Sequence, residues 1–156
     1  LLSNAFAAAG MRAPIRSNIR QEIWVKLTGN LAFNPISALT HATLEDICQF
    51  RETRKLAKNM MYETQVIAES LGITFRHTIE KRIAGANSVG AHKTSMLQDV
   101  EAGRSLETEA LIGSVLELGE LTKIPTASIE AVYACIKLLN KIMLLEGVGI
   151  RVSDAA

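Results

Sequence analysis

Apolar residues recur along this chain every three or four positions, and no segment sustains the apolar–polar alternation of a half-buried strand. That periodicity confines the chain to an all-α fold, a helical bundle. Composition agrees, because 48% of residues are hydrophobic but only 4% are aromatic, with Ala, Leu, Ile, Glu and Lys in abundance. Capping residues, glycines and prolines divide the pattern. Residues 1–9 form a helical stub closed by Gly10, followed by an extended stretch over 11–15. A long helix starts at Ser17 or Asn18 and runs through Trp24, Leu27, Leu31 and Ile36, where Pro35 should kink or divide it. Thr43 and Asp46 have the spacing of a capping box and open a short turn. A helix over 51–71 turns Leu56, Met60, Val66, Ile67 and Leu71 inward and ends at Gly72. Another over 73–86 buries Ile79 and Ile83, and Gly85, Asn87, Ser88 and Gly90 make the loop after it. Helices over 107–122 and 126–146 follow, with Pro125 between them.

Several function classes are disfavoured. The net charge of +1 offers no basic footprint for nucleic acid. No apolar run reaches the roughly 18 residues of a membrane span, and no basic stretch precedes the apolar residues 1–10 as it would in a signal peptide. Cys48 and Cys135 stand far apart and read as buried thiols of a cytoplasmic protein. His41, His77 and His92 are too scattered for a metal site. The chain does not begin with Met and reads as a fragment of a longer one.

Chemistry has two candidate locations. Lys26, Asn30 and Asn34 recur at intervals of four, turning about 40° per step and so sharing one helical face. An ammonium and two amides on one stripe can grip a small polar anion, although a solvated face has the same pattern. Farther on, Thr94-Ser95 precedes the apolar start of a helix, and Asp99, Arg104 and Glu107 follow. The hydroxyls there usually serve just as an N-cap, although a helix start also offers N–H groups to an anion, and Asp99 with Arg104 can be a simple surface ion pair.

The run Trp24-Val25-Lys26-Leu27-Thr28-Gly29-Asn30-Leu31-Ala32-Phe33-Asn34-Pro35 resembles the W-x-K-x-x-x-N-x-x-x-N-P segment of ketopantoate reductases. Ser95-Met96-Leu97-Gln98-Asp99, then Gly103-Arg104, Glu107 and Gly113, are similar to a second segment of that family, and Ile124-Pro125-Thr126 to a third. The resemblance covers about residues 19–133, in the family's order.

The resemblance implies a helical bundle like the C-terminal domain of ketopantoate reductases and of 6-phosphogluconate-dehydrogenase-like proteins. It implies NADPH held by an N-terminal Rossmann domain, with residues 1–17 the trailing edge of that missing domain and 18–150 the substrate-binding domain. It implies that Lys26 protonates the ketone oxygen of a 2-keto acid, that Asn30 and Asn34 grip the substrate, that Ser95 donates to its carboxylate, and that Glu107 reaches toward the cofactor or the lysine. Homodimerisation and a place in pantothenate biosynthesis go with it. Two departures bear on the substrate: Leu44 stands where some members carry another amide, and Leu106-Glu107-Thr108-Glu109 replaces T-E-I-D. No G-x-G-x-x-G occurs in the chain, so the fragment alone is expected to be inactive. Two other readings remain: a helical dimerisation module using Ile129, Val132, Ile136, Leu139 and Met143, and a ligand-binding relic without catalysis, against which the retained Lys26 speaks.

Overall fold

The computed structural model describes residues 1–150, and among these there is no strand. The elements are α1 (Leu2–Ala8), α2 (Ile19–Thr40), α3 (Leu44–Gln49), α4 (Arg51–Ser70), α5 (Ile79–Asn87), α6 (Ser95–Glu101), a π-helical segment (Glu109–Gly113), α7 (Ser114–Thr122) and α8 (Ala127–Glu146). The chain is therefore all-α, as its periodicity requires.

Helix α2 is the axis of the bundle. It packs against α3, α4, α6, α8 and the π segment, and every residue from Leu31 to Ala38 is buried. Such a helix has no solvent face in its second half, so Pro35 is carried inside it and does not divide it. An interior proline costs roughly 3 kcal/mol. Burial of Leu31, Phe33 and Ile36, at about 1.5–3 kcal/mol each, outweighs that. The start is capped by Asn18, whose side chain accepts from the Gln21 amide at 3.1 Å. The end is His41, in the left-handed region at φ 58°.

Thr43 and Asp46 form the full capping box at the head of α3, with Asp46 Oδ2 accepting from the Thr43 amide at 2.8 Å. Gly72 closes α4 at φ 81°. Leu71, by contrast, is 47% exposed: it has passed the last helical turn and no longer shares the inward face of Met60 and Ile67. The next helix begins six residues later than its periodicity suggests, at Ile79 rather than residue 73. Thr78 caps it, accepting from the Lys81 amide at 3.2 Å, while Gln21 Nε2 donates to the Thr74 carbonyl at 2.6 Å and holds the preceding stretch against α2.

Helix α8 is seated by a carboxylate from another element. Glu63 of α4 accepts from the Ser128 and Ile129 amides at 2.9 and 3.0 Å, satisfying donors at that helix start. Ile129, Val132, Ile136 and Met143 face the core, not solvent. The exposed apolar face proposed from those residues is made instead by Leu138, Ile142, Leu144 and Leu145. Cys48 is buried, but Cys135 is exposed, because it lies off the inward stripe of α8.

Candidate active site

The stripe on α2 and the head of α6 meet. Lys26, Asn30, Asn34 and Ser95 line one cavity of about 570 Å³, together with Arg82, His92 and Thr94 and an apolar wall that includes Phe33, Leu44 and Met61. The α2–α6 packing makes this possible, since it brings residue 95 against the face that carries residues 26, 30 and 34. Thr94 is the structural hydroxyl: it is buried and accepts from the Leu97 amide at 3.2 Å. Ser95, one residue on, is exposed and left for other use.

The cavity's polar groups are unengaged. Lys26, Asn30, Asn34 and Ser95 make no side-chain hydrogen bond or ion pair among the described residues. Asn34 is only 8% exposed as a residue, yet its amide is not among the shielded, unpartnered polar groups, so it stays open to the cavity. A depth gradient runs along the stripe, from exposed Lys26 at the rim through half-buried Asn30 to buried Asn34. An ammonium at the mouth and amides behind it form a polar track along α2, and the rest of the lining mixes Arg82, His92 and Ser95 with apolar side chains.

Glu107 does not join this group. It is exposed, just ahead of the π segment, and lines a separate groove with Asn140, Lys141 and Leu144. Beside it, the Tyr133 hydroxyl donates to Glu109 Oε2 at 2.6 Å, and Lys137 Nζ lies 2.9 Å from Glu109 Oε1. The Tyr133 and Lys137 bonds hold the Glu109 carboxyl below its usual range, and Glu109 and Tyr133 push the Lys137 ammonium up. Asp99 and Arg104 form the surface ion pair, at 2.7 Å, and play no part in the cavity.

Arg82 was not singled out by its position in the sequence. It reaches from α5 to α2, where Nη2 donates to the Val25 carbonyl at 2.7 Å, and its guanidinium lies 5.3 Å from the centre of the Phe75 ring. Burial draws its pKa below the ordinary arginine value. No local sequence signal marks such a contact, which spans 57 residues. His92, also on the wall, has its carbonyl bound by the Leu44 amide at 3.0 Å.

Among the described residues no group of three or more His, Cys, Asp or Glu is placed to hold a metal ion. No described helix is long and apolar enough to cross a membrane.

Comparison with known proteins gives this arrangement a family. Residues 18–140 match the family described as "Ketopantoate reductase PanE/ApbA C terminal". A 2-dehydropantoate 2-reductase of Mesorhizobium japonicum is 54% identical over 139 residues, which cover 89% of this chain and 43% of that protein. The crystal structure of 2-dehydropantoate 2-reductase from Methylococcus capsulatus superposes with a TM-score of 0.84 at 33% identity, covering 91% of this chain and 50% of that one. A dimeric ketopantoate reductase from Staphylococcus aureus shares the fold, with a TM-score of 0.72 at 24% identity over 85% of this chain and 47% of that one. The chain thus spans about half the length of the relatives it matches. With its match running from α2 into α8 and taking in the whole Lys26 cavity, the chain belongs to the ketopantoate reductase C-terminal domain family.

Proposed function

We propose that this chain is the substrate-side half of an NADPH-dependent 2-dehydropantoate 2-reductase, a cytoplasmic enzyme of pantothenate biosynthesis. The observation that carries the reading is the convergence of Lys26, Asn30, Asn34 and Ser95, none engaged by another protein group, on one cavity in a chain of this family. In the reaction a ketone oxygen becomes an alkoxide, and Lys26 both stabilises that charge and donates the proton. Asn34 and Asn30 hold the substrate's polar groups, and the Ser95 hydroxyl donates to its carboxylate. Phe33, Leu44 and Met61 receive its hydrocarbon part. A reduced nicotinamide supplies the hydride when bound. This chain offers no grip for the dinucleotide, having neither a Gly-rich strand–helix turn nor, among the described residues, any strand. That grip is assigned to an N-terminal Rossmann half, of which residues 1–17 are the trailing edge and to which 18–150 add the substrate domain. Glu107 is free to meet the cofactor from outside the cavity.

The test is steady-state reduction of 2-dehydropantoate by the full-length enzyme. Lys26→Ala should lower kcat by about 10²–10⁴-fold, roughly 3–5 kcal/mol of barrier. A correctly folded variant that keeps kcat within about threefold, under 1 kcal/mol, would show that this lysine does not do the chemistry.

A second reading concerns assembly. Leu138, Ile142, Leu144 and Leu145 expose apolar surface along α8, and a relative of the same fold is dimeric. Pairing of two copies through this face predicts that Leu145→Glu shifts the full-length protein toward monomer in sedimentation. An unchanged profile would remove α8 from the interface.

A further inference from the structure

The Lys26 cavity has a second cation on its wall, and its lining contains no Asp or Glu. Lys26 and Arg82 each lack an ion-pair partner within 4.0 Å among the described residues. Glu22 lies in the neighbouring recess with Arg82, yet forms no ion pair with it. Two unpaired cations on one partly apolar cavity attract an anion, because each raises the cost of leaving the other uncompensated.

The state of the Arg82 side chain is the more specific observation. One terminal nitrogen is tied to the Val25 carbonyl, next to Lys26 in sequence. The other, Nη1, is shielded from water and has no hydrogen-bond partner. A buried donor left unmatched costs about 1–3 kcal/mol, more when charged. The guanidinium carbon lies 5.3 Å from the centre of the Phe75 ring, and Arg82 lines the cavity wall, so an anion there would be a partner for its unmatched donor.

We propose that Arg82 is a second substrate-binding cation, holding the carboxylate of the 2-keto acid while Lys26 serves the ketone oxygen. The inference rests on the reductase reading for the identity of the ligand. Its chemical logic is a division of labour. In a 2-keto acid the carboxylate adjoins the carbonyl, so a single ammonium is drawn to both, and the resting charge competes with the developing one. A guanidinium fork matches a carboxylate in two parallel bonds and cannot itself give up a proton at working pH. With the carboxylate shared between Arg82 and the Ser95 hydroxyl, the Lys26 proton is left for the alkoxide.

The experiment titrates the full-length protein calorimetrically with pantoate and with its neutral amide, comparing wild type, Arg82→Gln and Arg82→Lys. Far-UV CD checks the fold of each variant. Arg82→Gln should weaken pantoate by tenfold or more, equivalent to about 1.4 kcal/mol, and leave the amide within about threefold. Arg82→Lys, which keeps stem and charge but loses the fork, should fall between, and it decides the matter if the glutamine variant does not fold. An unchanged pantoate affinity overturns the proposal. So does an equal loss for acid and amide, the mark of a purely structural arginine, and so does failure of the wild type to bind pantoate. Arg82-dependent pantoate binding without turnover of 2-dehydropantoate sinks the reductase reading alone. Turnover with an unchanged KM in Arg82→Gln sinks this inference alone.

Discussion

At the residue scale Asn34 separates a ligand-facing amide from a structural one. It is 8% exposed as a residue, but its amide bonds no protein group and is not among the shielded polar atoms, so removing it leaves no protein partner unmatched. Asn34→Ala should therefore lower stability by no more than about 1 kcal/mol, within the range of sites that support nothing else. In the full-length enzyme it should raise KM while leaving kcat nearly unchanged, because an amide that grips substrate and transition state alike contributes uniform binding. A loss of several kcal/mol in denaturant unfolding would mark the amide as part of the core. The stripe of residues 26, 30 and 34 was legible in the sequence because helical spacing alone puts those side chains on one face. Whether that face met solvent or a cavity was not legible, because α5 and α6, which close the opposite wall, come from distant sequence. Arg82 was invisible for the same reason.

At the element scale, helices were legible wherever one face is apolar, and boundaries failed where a residue is buried without being helical. Ile73 is 8% exposed, yet it lies in the irregular stretch before Thr78 caps α5. The π segment also escaped a reading based on 3.6-residue spacing. The junction of α7 and α8 tests how tightly these elements are joined. A Cβ on Gly119 would stand 2.8 Å from the Thr126 methyl, 3.3 Å from the Ile124 carbonyl oxygen and 3.4 Å from Ile67 Cδ1. Alanine improves helix propensity by up to about 1 kcal/mol, but overpacking against a buried β-branched side chain costs about 1–3 kcal/mol. Gly119→Ala should lower the melting temperature, and a rise would show that Thr126 yields freely. The α3 capping box provides a pH test. Hydrogen bonds from the Thr43 side chain and backbone lower the Asp46 pKa in the folded state. Its contribution is thus present above the ordinary Asp value of about 3.9 and is lost as pH falls through the lower folded value. The stability gap between wild type and Asp46→Ala should be constant near neutrality and shrink below about pH 4; a gap that widens with acid would contradict the capping role.

At the scale of the whole molecule, folding and chemistry place different demands on this chain. Its core is continuous: Leu31 and Ile36 of α2 join Met60 and Ile67 of α4, and Ile129 and Ile136 of α8, in one buried cluster. Residues from Asn18 onward therefore contain the apolar surface needed for cooperative folding without help from another domain. Catalysis is another matter, because the Lys26 cavity is open and the sequence contains no G-x-G-x-x-G turn. The isolated chain should give a strongly helical far-UV CD spectrum and a single cooperative thermal transition, yet show no oxidation of NADPH in the presence of 2-dehydropantoate. The full-length enzyme should carry out that oxidation under the same conditions. If Lys26 is the proton donor, as proposed, it has nothing to protonate without a hydride donor, so the activity should vanish rather than diminish. A non-cooperative melt would mean that the core depends on a second domain for its final packing. Measurable turnover by the isolated chain would mean that residues within it bind the cofactor, and it would remove the division between a nucleotide half and a substrate half.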